Sequence, residues 1–311
     1  MNRRTALRAA AAALTVPFIP NVARAQSRAL HIALVPIDNN ALPFFAQEMG
    51  FFKGAGLAVD VQQMQSGAAM SAAIAGGSID IASSNIVQLA QAHQRHVPFT
   101  LVAPAGVYLP QAATTLLMAP NNSPLKTAKD LTGKTIAVTG LKSIAQFAPM
   151  AWVDKNGGDS KAVKFVEMGV REMPDAMAAG RVDAAVVQEP FIAGAKLKNA
   201  RVFADVFGAI APSYLISAYF STNDWAKANP DLVRSFQHVM RETAIWANKN
   251  HAKTADILVN VLHVDAAVVP TMTRAIFAET LQPSQIQPPI DVAVKYGGIP
   301  EFPATELIFK A

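Results

Sequence analysis

The phrase Gly-Ser-Ile-Asp at residues 77–80 is written again as Gly-Arg-Val-Asp at residues 180–183, an offset of 103 residues. Each copy runs into a short stretch of small and apolar residues, "IASSN" in one case and "AAVVQ" in the other. A helix-ending glycine followed by a strand, used twice at that distance, constrains the fold because the surrounding periodicity repeats with it. Residues 30–35 read as a strand, and Pro43 opens a helix with Phe44, Phe45, Met49 and Phe52 on one side, stopped by Gly54 and Gly56. Residues 57–61 alternate as a strand. Ser66-Gly67 starts a helix carrying Met70, Ala73 and Ile74, residues 79–83 return as a strand, and a helix follows at 86–94. The second copy runs strand 135–138, helix 143–156, strand 163–167, helix 174–179, strand 183–187 and a helix opened by Pro190. Two βαβαβα units in tandem need parallel sheets with helices on both faces, because parallel strands require crossover connections.

In the repeated phrase, Gly supplies the positive-φ position that ends a helix, and Asp sits at the strand entry. Gly77, Asp80, Gly180 and Asp183 therefore read as scaffold. In open α/β sheets, ligands collect at the carboxyl ends of strands, so the polar residues found there are site candidates. They are Asp38, Asn39 and Asn40 after the first strand, Ser66 and Gly67 after the second, and Ser83, Ser84 and Asn85 after the third. In the second unit they are Thr139, Gly140, Lys142 and Ser143 at a helix N-terminus, which favours an anion, and Gln188 and Glu189. The alternative for each is an N-cap or turn residue. Their recurrence at matching ends of two units points to a shared cleft.

Extended segments at 99–118 and 211–222 cross between the units, which predicts a hinge with a ligand between closing lobes. Tyr108 and Tyr214 lie near the crossings, as ligand-stacking surfaces or as ordinary packing. Beyond them, Asn229-Pro230 opens a helix, and further helices are expected at 252–262, 266–281 and 290–296, packed on the first lobe. Trp225 and Trp246 belong to that packing.

The N-terminal 25 residues have a basic start, an apolar stretch at 9–19 and an Ala23-Arg24-Ala25 cleavage signal. They read as an export peptide cleaved near Ala25, since the apolar stretch is about half the ~20 residues of a membrane span. The Arg3-Arg4 pair resembles the twin-arginine route, with an ordinary secretory signal as the alternative. Four of the 27 basic and none of the 22 acidic residues lie there, leaving 23 against 22. That balance removes the basic stripe nucleic-acid binding needs. The chain has no cysteine, so disulfides, thiolate metal sites and cysteine nucleophiles are excluded.

Five segments, in order, carry a family resemblance: "IALVPIDNNALPFFAQEMGFFKGAGLAVDVQQMQSG", "AAIAGGSIDIASSN", "KDLTGKTIAV" and "MAAGRVDAAVVQEP", with the export signal before them. Together they resemble the SsuA-like periplasmic solute-binding proteins, which include binders of sulfonates, taurine, nitrate and thiamine pyrimidines. The resemblance implies a two-lobed type II periplasmic binding protein fold of the α/β class, each lobe a mostly parallel sheet flanked by helices, with two crossover segments as hinge. It divides the chain into lobe 1 at 26–114 and 215–311 and lobe 2 at 115–214. It implies a periplasmic monomer that captures a small solute and presents it to an ABC permease and ATPase complex in the inner membrane, without a cofactor. Carried onto this chain, the site would comprise Asp38, Asn39, Asn40, Ser66, Gly67, Ser84, Asn85, Thr139, Lys142, Ser143, Glu189 and Tyr214. Lys142 favours a sulfonate or carboxylate, whereas Asp38 and Glu189 oppose an anion and favour an amine or heteroaromatic donor. An organic anion, a zwitterion and a heteroaromatic solute all remain open.

Two other classes stand beside this one. One is an enzyme on a related fold, such as a thiamine-pyrimidine synthase or a menaquinone-pathway enzyme; the synthase's cysteine-rich iron segment has no counterpart here. The six histidines show no HExxH or clustered spacing; His93 and His96, three apart, read as a helix end in preference to a metal site. The other is a sensory binding protein that feeds a receptor kinase.

Overall fold

The structure, a computed structural model, describes residues 29–64, 67–263 and 265–310. The expected export peptide and Ser66 lie outside the described residues. The first part of the chain forms β1 (Leu30–Leu34), β2 (Val59–Gln63), β3 (Ile81–Asn85), β4 (Phe99–Pro104) and β5 (Gly106–Tyr108). The middle forms β6 (Thr115–Pro120), β7 (Thr135–Val138), β8 (Lys164–Glu167), β9 (Ala184–Gln188) and β10 (Ala200–Ala204). The returning chain adds β11 (Tyr214–Leu215), β12 (Ser217–Thr222) and β13 (Ile276–Phe277).

These strands make two five-stranded sheets with one topology. The first runs β2-β1-β3-β12-β4 and the second β8-β7-β9-β6-β10. In each, four strands run in one direction and a single antiparallel strand, β12 or β6, is inserted between the parallel trio and the edge strand; that inserted strand is the crossover that entered from the other lobe. The two-lobed α/β fold read from the sequence is thus present.

Each sheet is buried on both faces, as parallel sheets are. Along β1, Leu30, Ile32 and Leu34 face Phe45, Phe52 and Phe236, while Ala33 between them faces the opposite core. Along β9, Ala184 and Val186 enter one core and Ala185 and Val187 the other. The helix Pro230–Lys249 presents Val233, Phe236, Val239 and Met240 to the first sheet at helical spacing.

The repeated Gly-x-[Ile/Val]-Asp phrase is scaffold in both lobes, and by one mechanism. Gly77 and Gly180 adopt φ of 71° and 67° after their helices. Asp80 Oδ2 then accepts the backbone N–H of His31 at 2.9 Å, and Asp183 Oδ2 accepts that of Thr135 at 2.8 Å. Each aspartate N–H also donates to the carbonyl of the same strand-entry residue, at 2.9 Å in both lobes. The carboxylate closes the end of a parallel ladder, satisfying a donor that would otherwise face the sheet edge.

Two features differ from the sequence reading and one agrees. The stretch 266–281, expected as a helix, contains a 3₁₀ turn at Val269–Thr271 and the strand β13. Its helical spacing is overridden by pairing: β13 and β11 flank β5 in a third, three-stranded sheet at the lobe junction. The last long helix begins earlier than expected, at Pro283–Gly297, and lies against helices of both lobes, Ile86–Gln94 and Ile144–Lys155. His93 and His96 do sit at a helix end, where His93 Nε2 pairs with Glu306 Oε2 at 3.0 Å and its ring stacks on Phe302.

Candidate functional site

Between the lobes lies a cavity of about 480 Å³, within the ~300–1,000 Å³ range of small-molecule sites. It is built at the carboxyl ends of the parallel strands. The turn after β1 brings Val35, Ile37, Asn39 and Asn40; the end of β3 brings Ser83, Ser84 and Asn85. From the other lobe, the turn after β7 brings Thr139, Gly140 and Ser143, and the ends of β8 and β9 bring Glu167 and Gln188. Ile216 and Ser217, where the chain re-enters the first sheet, complete the floor.

The polar floor is held by hydrogen bonds that span distant parts of the chain. Asn39 Nδ2 donates to Thr114 Oγ1 at 2.9 Å, and Ser217 Oγ donates to Asn40 Oδ1 at 2.9 Å. The Tyr219 hydroxyl donates to the Asn40 carbonyl at 2.9 Å, fixing the turn from beneath. Asn39 and Asn40 are almost completely buried, so their amides are preorganised before any ligand arrives.

Two helices start at the cavity wall. Asn85 caps Ile86–Gln94, its Oδ1 accepting the Gln88 N–H at 3.0 Å, and Ser143 caps Ile144–Lys155, its Oγ accepting the Ala145 N–H at 3.2 Å. The two starts face each other across the cleft: a Cβ on Gly140 would stand 3.8 Å from Gln88 Nε2. One turn further on, Gln91 Nε2 donates to the Lys142 carbonyl at 2.8 Å and joins the lobes directly.

Asn39, Asn40, Ser84, Asn85, Thr139 and Ser143 therefore line the cavity, while Asp38, Lys142, Glu189 and Tyr214, also expected there, are placed elsewhere or only support it. Asp38 is 1% exposed and forms a two-pronged ion pair with Arg274, at 3.0 and 3.1 Å, and accepts the Ala275 N–H at 2.9 Å. Its charge is consumed in tying the first turn to the C-terminal region. Lys142 has its side chain exposed and outside the lining, because a φ of 53° turns it to solvent; only its main chain bridges the lobes. Glu189 is buried away from the cavity, with Oε1 accepting the Thr273 N–H at 3.1 Å. Burial pushes its carboxyl up to about 7, against the pull of that N–H. Gly67 begins the helix Gly67–Ala75, whose Met70 lines the cavity.

Tyr214 is fully buried in the junction sheet. It pairs with Tyr108 across β11 and β5, the two rings stack at 5.1 Å, and its hydroxyl donates to the Phe207 carbonyl at 3.1 Å. Tyr108 donates to Asp205 Oδ2 at 2.6 Å. Both hydroxyls are thus satisfied by protein, as buried tyrosines require, and the pair packs the junction sheet.

The lining also contains residues the sequence reading passed over as site members: Gln88, Glu167, Glu172, Ser217, Phe207 and Met70. The strand-end rule reaches Glu167, the last residue of β8. Ser217 and Phe207 come from the returning chain, where no repeat marks the position. Glu167 and Glu172 are the charged side chains of the described lining, which contains no Lys, Arg or His.

Among solved structures, the chain resembles the ligand-binding component of an ABC-type import system from Staphylococcus aureus, with 12% identity, a TM-score of 0.79, and coverage of 90% of this chain and 96% of that one. It resembles the alkanesulfonate-binding protein SsuA from Xanthomonas axonopodis pv. citri at 19% identity and a TM-score of 0.74, over 91% and 98% of the two chains. The desulfurization enzyme DSZB has the same fold, at 14% identity and a TM-score of 0.66 over 89% and 96%. No curated protein matches the sequence. A family model described as NMT1/THI5 like matches residues 39–254, from the first asparagine of the cavity floor into the C-terminal helices. That match spans well over half of the 311 residues, and with the fold likeness beside it the chain belongs to the NMT1/THI5-like family.

Proposed function

We propose that the protein is the solute-binding component of an ABC-type importer: exported, it captures a small polar organic solute between its lobes and presents it to a membrane permease and its ATPase. The observation that carries this reading is the inter-lobe cavity, lined by amides and hydroxyls from both lobes, with two carboxylates from the second, over a preorganised floor. Such a site binds by closing on its ligand, and the junction sheet supplies the hinge. The neighbours that bind solutes for import support the same role. No helix of the described residues is long and apolar enough to cross a membrane.

A thermal-shift screen of the purified protein against sulfonates, carboxylates, amines and pyrimidines tests this. A ligand at 100 times its Kd adds about 2.7 kcal/mol of stability. Absence of any shift, together with no small molecule retained in native mass spectrometry, would overturn the reading, as would measurable turnover of a bound compound.

A further inference from the structure

Resting on the solute-binding reading, we propose that the solute carries charges of both signs: an anionic end where the two helix starts face each other, and a cationic end at Glu167 and Glu172. Three observations carry this. The first is Ser83 Oγ, which lines the cavity on a fully buried residue and has no hydrogen-bond partner among the described residues. A buried hydroxyl without a partner costs stability unless a ligand supplies one.

The second is the pair of helix N-termini beside it, one from each lobe. Their caps engage the N–H groups of Gln88 and Ala145, and the Ile86 N–H donates to the Ile216 carbonyl. The first-turn N–H groups of Val87 and Ile144 remain outside these bonds, and the positive ends of both helices lie close together at the cleft. An acceptor group placed there meets donors from both lobes and draws them together.

The third is the opposite charge on the loop after β8. Glu167 accepts the Leu141 N–H at 3.2 Å, and neither it nor Glu172 enters an ion pair among the described residues. A solute with only negative charge would lie near two carboxylates with no Lys, Arg or His in the described lining. A solute with only positive charge would face the helix N-termini. An organic zwitterion satisfies both ends, and Val35, Ile144 and Phe207 provide an apolar wall for its body.

The test is calorimetry on dialysed protein with three para-disubstituted probes of closely matched shape: 4-(aminomethyl)benzoate, 4-methylbenzoate and 4-methylbenzylamine. The zwitterion should bind at least tenfold more tightly than either singly charged compound. Exposed charge pairs contribute up to about fivefold each, so Glu167→Gln with Glu172→Gln should weaken the zwitterion about tenfold and leave 4-methylbenzoate unchanged or tighter. Ser83→Ala should weaken the two carboxylates alike and leave 4-methylbenzylamine unaffected. A singly charged probe that binds as tightly as the zwitterion overturns the proposal, as does an affinity ratio unmoved by the double substitution. If no probe binds, native mass spectrometry of freshly purified protein decides. A retained zwitterion supports the proposal; a retained neutral or singly charged solute overturns it while leaving the solute-binding reading intact; an empty protein overturns both.

Discussion

Glu189, at the end of β9, accepts a hydrogen bond from the backbone N–H of Thr273 at 3.1 Å, and so fastens the second lobe to the C-terminal segment through a carboxyl group only 3% exposed. Burial holds that carboxyl at about 7, against an ordinary value of 4.5. An acid raised on folding binds its proton more tightly in the native state. Its contribution is therefore fully present below pH 4.5 and is lost as pH rises from there through 7, by up to about 3 kcal/mol. Urea unfolding at intervals across this window should show the decline, and Glu189→Gln should flatten that component and be the more stable protein above pH 7. A variant whose pH dependence parallels the parent's would remove Glu189 as the source.

The two lobes give the doubled aspartate a different environment in each copy, and this predicts unequal costs. The Asp183 side chain is 39% exposed and holds the Thr135 N–H and, at 3.4 Å, Lys134. Asp80 performs the same strand-entry role but is only 5% exposed. Asp183→Ala should cost about 1 kcal/mol and Asp80→Ala up to about 3 kcal/mol, since water replaces the lost acceptor more readily at the exposed site. Scanning calorimetry of both variants gives the comparison. Equal costs would mean that solvent access does not set the value of this contact.

The architecture was readable because the periodicity that defines it is local: helix stops at Gly77 and Gly180, strands of period 2, and crossovers of repeat length. The site was readable only where it sits at the marked strand ends, as Asn39, Asn40, Ser84, Asn85, Thr139 and Ser143 do. Asp38 and Glu189 look like cleft acids in sequence because their partners, Arg274 and Thr273, are separated from them by 236 and 84 residues. Charge near a strand end does not reveal whether it faces ligand or a distant loop. Likewise β13 has no signature of its own: its two residues become a strand only because β5 is present to pair with them.

The Asp38–Arg274 pair is nearly dry, with the two side chains 1% and 10% exposed. Removing one partner leaves a buried charge uncompensated, so Asp38→Ala should destabilise by roughly 3–5 kcal/mol, whereas replacing both with apolar residues costs much less. A double-mutant cycle with Asp38→Leu and Arg274→Met, read by denaturant unfolding, should give a coupling of more than about 1 kcal/mol. Additive losses would show that the ion pair does not hold the first turn to the C-terminal region.

Gly106 opens β5 directly beneath the cavity floor, and the fit there leaves no room for a side chain. A Cβ at this position would stand 2.6 Å from Asn39 Oδ1 and 2.8 Å from Asn39 Cβ. Asn39 cannot retreat without giving up its bond to Thr114 Oγ1 at 2.9 Å, which crosses 75 residues of chain. Gly106→Ala must therefore displace either the asparagine or the junction strand, at a cost of about 1–3 kcal/mol from overpacking. Because Asn39 lines the cavity, affinity for whichever compound scores in the thermal-shift screen should fall together with stability. Thr114→Val, which removes the same anchor without crowding, separates the two effects: it should lower affinity with a smaller loss of stability. If Gly106→Ala lowers the melting temperature and Thr114→Val binds ligand as the parent does, the position of Asn39 does not govern binding, and the floor of the site must be reassigned to Asn40 and Ser217.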